Sequence, residues 1–272
     1  MARIYVDPGH GGSDPGAVAN GVREADVALA VARRVVDHLR RHGMDVRMSR
    51  TGDSTKSLQA RTNEANAWGA DAYVSVHCNA AASASANGFE VWHTVFVDKS
   101  KGDELARAII KYLDQLTPLK NRGAKSKRGS SGRDYLHVIR ETRMPAVLVE
   151  MGFVSNAKDA AYMKSASGQA AIAEAIARGV VEWAGMKWKP VEPPATNQAP
   201  KSDPKPQAAP KHPVPPGPFK DVPADHRFAR AIEWAKERGI TVGYGDGTFR
   251  PDQPVTRGEL VQMLFRALGE RV

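Results

Sequence analysis

The sequence contains one cysteine, Cys78, in 272 residues. That count excludes a disulfide framework and any zinc site built from several thiolates. Nowhere do apolar residues run for the roughly 18 positions that a membrane-spanning helix needs, so no membrane insertion is expected. The N-terminus lacks an apolar stretch with a cleavage site, Met1-Ala2-Arg3 leading straight into a strand pattern. The expectation is a protein made in the cytoplasm without a secretion signal. Acidic side chains are also in short supply, with 30 Asp and Glu against 39 Lys and Arg, a formal charge of +9. Such an excess suits a polyanionic partner, although a soluble surface alone could account for it. Nucleic acid is not expected, because no basic motif interleaved with aromatic residues accompanies the charge. Between 120 and 143 the excess is concentrated, in Lys120, Arg122, Lys125, Lys127, Arg128, Arg133, Arg140 and Arg143, in what reads as a basic loop.

The 42% hydrophobic content is ample for a core. Apolar runs at 3–7, 45–50, 71–77, 88–95 and 145–150 read as strands, and 135–139 as a short extended piece. Helical periodicity covers 24–42, 58–68, 103–116 and 168–183, with Gly43 and Gly69 as stops. Strands alternating with helices predict an α/β domain with a central mostly parallel or mixed sheet flanked by helices. Sheets of this kind bind ligands at the C-terminal ends of their strands, which is where His10, His77 and Glu150 fall.

From 190 to 218 the composition changes, with 11 of the chain's 18 prolines in that stretch. It cannot bury enough apolar surface to fold, and proline biases it to an extended form. The expected organisation is a catalytic domain at 1–186, a Pro-rich linker at 187–218 and a small helical domain at 219–272.

Two histidines and a carboxylate around a divalent ion would leave an open coordination position, the arrangement of catalytic zinc. A further carboxylate would then be available for proton transfer. Spacing does not choose the third ligand among Glu24, Asp7, Asp14 and Asp26, since no compact metal motif is present. The blocks Asp7-Pro8-Gly9-His10-Gly11-Gly12, Glu24, Leu58-x-x-Arg61-x-x-x-Ala65-Asn66, Ser75-Val76-His77-Cys78-Asn79 and Pro145 to Asn156 occur in one order. Together they resemble the zinc-dependent N-acetylmuramoyl-L-alanine amidases of the Amidase_3 family, over about 3–183. The resemblance implies cleavage of the amide between N-acetylmuramic acid and L-alanine in peptidoglycan. By position it makes His10, Glu24 and His77 the Zn2+ ligands and Glu150 the catalytic acid and base. It leaves Ser75, Asn79 and Arg61 as groups that support the site or meet substrate, Arg61 by pairing with a carboxylate.

Phe219-Lys220-Asp221-Val222, Gly243-Tyr244-Gly245-Asp246-Gly247-Thr248-Phe249 and Thr256-Arg257-Gly258-Glu259 resemble one S-layer homology motif. That resemblance implies binding to an anionic secondary wall polymer, with Arg257 gripping an acidic group. A wall hydrolase without a leader resembles a phage endolysin, a bacterial autolysin being the other context. A zinc peptidase cutting within the stem peptide and a non-catalytic wall-binding protein are the alternative activities. Cys78, next to a ligand in a strand, is expected to point the other way and pack. His38, His42, His93 and His137 are assigned no chemistry.

Overall fold

The structure, a computed structural model, describes residues 1–96, 101–190, 217–253 and 255–267. The chain divides into two units, Met1–Glu192 and Pro193–Val272. Most of the expected linker lies outside the described residues.

In chain order the first unit holds β1 (Arg3–Pro8), the hairpin strands β2 (Val18–Ala19) and β3 (Val22–Arg23), α1 (Glu24–Arg41), β4 (Asp45–Met48), α2 (Leu58–Trp68), β5 (Ala72–Asn79), β6 (Phe89–Trp92), α3 (Lys101–Leu116), β7 (Asn121–Lys125), α4 (His137–Arg140), β8 (Ala146–Phe153), α5 (Ala157–Lys164) and α6 (Ala166–Trp183). Six of these strands form one mixed sheet in the order β4-β1-β5-β8-β6-β7. Only the β8–β6 pairing is antiparallel.

Successive side chains of a strand point to opposite faces, and the two faces of this sheet are covered unequally. Ile4, Val6, Val74, Val76, Val147 and Val149 pack against the long helices α1, α3 and α6. Tyr5, Tyr73, Ala146 and Leu148 point the other way, onto Ala65 of α2 and Val138 and Ile139 of α4. Those two helices have only 11 and 4 residues. They shelter the half of that face where the parallel strands begin. Further along, the same alternation puts Asp7, Ser75, His77, Glu150 and Glu90 on that face, Asp7 and Ser75 buried beneath Arg61 of α2 and the other three one step beyond.

Two expectations are corrected. The piece at 135–139 is not extended, because a single turn, with Arg140 N–H donating to Leu136 O, brings Val138 and Ile139 together onto the sheet. The start of the basic loop is the edge strand β7, whose arginine and lysine suit a position with one unpaired side. The short hairpin and α5 lacked a periodic signal.

The second unit contains α7 (Ala229–Glu237) and α8 (Arg257–Ala267). Its core is Phe219, Val222, Ala229 and Ile232, with Phe249 stacked on Phe219. Asp221 accepts the backbone N–H groups of Phe249 and Arg250 and so ties the glycine-rich turn to the unit's first residues. Thr256 and Glu259 form a reciprocal capping box, Glu259 N–H donating to Thr256 Oγ1 and Thr256 N–H to Glu259 Oε2. Their place in the motif is thus explained by the start of α8. An open groove of about 480 Å³, lined by Tyr244, Val255, Leu260 and Met263, lies beside it. Arg257 heads the helix, and its side chain lies outside the described residues.

Candidate metal centre and active site

The site is built where β1 ends. Pro8 closes the strand, and His10 takes a positive φ of 58° in a turn held by Gly11 N–H to Asp14 O. From behind, the fully buried Arg61 donates to Asp7 Oδ1, Pro8 O and His10 O, each at 2.7 Å. Arg50 adds bonds to Pro8 O, Gly9 O and Ala25 O. Two guanidinium groups therefore fix the carbonyls of a turn that has no regular structure of its own. Burial would raise the Asp7 carboxyl, but Arg61 and hydrogen bonds from Ser49, Arg61 and Tyr73 hold it below the ordinary range.

His10 Nδ1 lies 2.8 Å from Asp14 Oδ2, so Nδ1–H donates and Nε2 is turned to Glu24 Oε1, 3.2 Å away. Glu24 opens α1, where a helix N-terminus favours negative charge, and is 3% exposed. Its Oε2 accepts from Ala17 N–H, while Oε1 accepts from Cys78 N–H and stands 2.9 Å from His77 Nδ1. One ligand atom from each of His10, Glu24 and His77 falls within 4.8 Å of the others. Burial works against the Glu24 charge, yet the two imidazoles hold its carboxyl well below the usual range. The same bond to Glu24, opposed by burial, pushes His10 up to about 9. Two imidazole nitrogens and one carboxylate oxygen converging on one point form a donor set that fits zinc.

Two glycines, Gly9 of the motif and Gly16 beyond it, make room for this convergence. A Cβ on Gly9 would stand 2.2 Å from His77 Cε1, and one on Gly16, at φ +65°, would stand 2.6 Å from Glu24 Oε2.

Glu150 pairs with His77 across β5 and β8, so the two side chains share a face. Its Oε2 is buried without a hydrogen-bond partner among the described residues. Burial pushes this carboxyl up to about 7, Glu24 and Glu90 adding to the rise while His77 and His10 oppose it. A carboxyl poised there can carry a proton at neutral pH.

The remaining candidates separate by distance from this cluster. Asn79 donates to Glu90 Oε1, one strand beyond Glu150. Ser75 does not face the open site, because its Oγ donates to Asp7 Oδ2. Cys78 packs into the apolar core on the opposite face. His93 bonds Thr94 O and faces Asp103, and His137 opens α4. His42 stacks on Trp188 at the far end of α1, and Arg41 lies over the same ring. Sequence reasoning offered Asp14 as a rival ligand, whereas it orients His10. It missed Arg50 and the Glu90 network, which no spacing signal marks.

Residues 4–182 match the family model described as N-acetylmuramoyl-L-alanine amidase, and 218–261 the S-layer homology domain. The amidase CwlM of Bacillus licheniformis is 40% identical over 184 residues, 66% of this chain and 66% of that protein. The chain thus spans about two thirds of that relative's length. An endolysin of Bacillus phage SPP1 is 35% identical, the match covering 75% of this chain and 72% of the endolysin. Among solved structures, the catalytic domain of the CwlV amidase from Bacillus (Paenibacillus) polymyxa var. colistinus aligns with a TM-score of 0.63 and 33% identity. That alignment covers 69% of this chain and 100% of the domain.

Proposed function

The chain belongs to the N-acetylmuramoyl-L-alanine amidase family, and from that premise we propose that it is a zinc-dependent hydrolase of the amide joining N-acetylmuramic acid to L-alanine in peptidoglycan. The observation that carries this reading is the unpartnered, buried Glu150 carboxyl one strand from three converging ligands. His10, Glu24 and His77 would hold the ion, and Asp14 keeps His10 in the tautomer that presents Nε2. A zinc ion bound there supplies Lewis acidity toward a carbonyl oxygen and acidifies a water. Glu150, as the carboxylate, takes the proton of the attacking water and passes it to the departing nitrogen, so the carboxylate of a group poised near neutrality is regenerated at the end of each cycle. Arg61 and Asp7 do no chemistry in this scheme and keep the His10 turn in place.

The second unit is proposed to hold the enzyme at an anionic wall polymer, Arg257 being the residue assigned to grip it. Domain limits of 1–186, 187–218 and 219–272 accompany the proposal. Of the two settings, lysis by a phage and wall turnover by a bacterium, the S-layer homology segment favours the second. The SPP1 endolysin shares the family with the bacterial enzymes, and the proposed chemistry is the same in either setting.

The test is mass spectrometry of the products from purified peptidoglycan, with chelator and with zinc added back. Intact stem peptides beginning at L-alanine, lost with chelator and restored by zinc, are expected. Fragments cut within the stem would make the protein a peptidase, and no release at any metal concentration would make it a wall-binding protein.

A further inference from the structure

The cross-strand row that contains the ligand His77 and Glu150 does not stop there. Glu90 lies opposite Glu150 in the antiparallel β8–β6 pair, and Arg122 of β7 follows, its Nε donating to Glu90 Oε2 at 2.8 Å. Glu90 is 5% exposed and its oxygens are taken, Oε1 by Asn79 Nδ2 and Trp92 Nε1 and Oε2 by Arg122. With both oxygens engaged, it serves as an anchor for Arg122.

Arg122 differs from it. Its Nε edge is fixed by Glu90, Nη1 reaches Asn87 O at 3.5 Å, and its guanidinium carbon lies 4.9 Å from the Phe153 ring centre. Nη2 has no hydrogen-bond partner among the described residues, and the side chain is one third exposed. A guanidinium clamped on one edge and one face, with its remaining N–H groups open, is preorganised for a carboxylate.

We infer that Arg122 is a specificity residue that binds a free carboxylate on the amine-side fragment of the substrate, held in position by Glu90. The direction follows from proton transfer. Glu150 protonates the departing nitrogen, so the fragment bearing that nitrogen leaves from Glu150, and the row on the side away from the ligands runs over Glu90 to Arg122. For the amide proposed above, that fragment is a peptide, and a peptide carries a free carboxylate at its C-terminus. The inference rests on that reading of the bond cut.

The experiment uses the full-length, zinc-loaded protein and two soluble muramoyl peptides that differ only in one stem carboxyl, free in one and carboxamide in the other. The parent is expected to favour the free acid about 10- to 100-fold in kcat/KM, most of it in KM, the size of one charge-assisted hydrogen bond. Arg122→Gln should bring that ratio to about 1, and Arg122→Lys should restore part of it. Glu90→Gln, which loosens the clamp and leaves the guanidinium in place, should reduce the ratio by an intermediate amount. A parent without preference, or an Arg122→Gln variant that retains it while its thermal midpoint matches the parent's, overturns the inference. Both outcomes are read as ratios on substrates cleaved at the muramoyl amide. Cleavage elsewhere in either peptide is the separate failure of the proposed activity.

Discussion

Glu150 and His77 stand side by side, yet their removal should have different consequences. On the proposed reading Glu150→Gln deletes a proton carrier and no ligand, so zinc stoichiometry by mass spectrometry should match the parent while the rate falls about 10²- to 10⁴-fold. His77→Ala should lower the metal content and the rate together. Equal metal loss in both variants would show that Glu150 is part of the ligand set. Asp7 supports a prediction about stability, since its carboxyl is buried against Arg61 and held below the ordinary aspartate range. A depressed folded-state value stabilises the fold above the unfolded-state range near pH 4, and the contribution is lost as the pH falls through and below it. Asp7→Asn should therefore cost about 3–5 kcal/mol at pH 7 by leaving Arg61 buried and unpaired. It should also flatten the decline of the urea midpoint between pH 5 and pH 3, and an unchanged slope would assign that acid sensitivity elsewhere. His10, His77 and Glu150 could be singled out in the sequence because each stands at or next to the end of an apolar run, whereas Glu24 was chosen over Asp7, Asp14 and Asp26 only by the family resemblance. Asp14's service to His10 was not legible, since a carboxylate four residues from a histidine reads equally well as a ligand. Glu90 and Arg122 were opaque for another reason. They are 32 positions apart and meet only because β6 and β7 are neighbours in the sheet.

At the scale of elements, the covered face of the sheet depends on how closely α3 and α6 approach. Gly179 sits in α6 where a Cβ would be 2.6 Å from the Ile109 Cα of α3. Gly179→Ala must push the two helices apart, at about 1–3 kcal/mol for overpacking. That should lower the melting temperature by several degrees while leaving zinc stoichiometry unaltered, because both helices lie behind the sheet from the ligands. A melting temperature equal to the parent's would mean that the pair can separate freely. The sequence disclosed these helices through their period and the strands through their apolar content. It did not disclose α4, whose Val138 and Ile139 favour a strand locally and are recruited into one helical turn by the face they cover. Nor did it disclose β7, because an edge strand made of Asn121, Arg122, Gly123, Ala124 and Lys125 carries none of the apolar alternation that marks a strand.

At the scale of the molecule, two units with separate cores imply separable activities. Removing 219–272 should reduce co-sedimentation with whole walls and leave turnover of soluble muramoyl peptides within about twofold of the parent. Collapse of soluble turnover would show that the first unit depends on the second. The small core of the second unit, four buried apolar residues among the described ones, also predicts that it melts first in a two-step calorimetric trace. The unequal covering of the sheet has a consequence for the physical form of the substrate. Helices α2 and α4 pack on Tyr5, Tyr73, Ala146 and Leu148, one step before the row of His77, Glu150 and Glu90 on the same face, so substrate meets the first unit beside these two short helices. A site approached from beside such short elements can be laid against a strand in the middle of a covalent net. The rate on intact walls should then follow how far the mesh is stretched open, and should be indifferent to the length of the glycan.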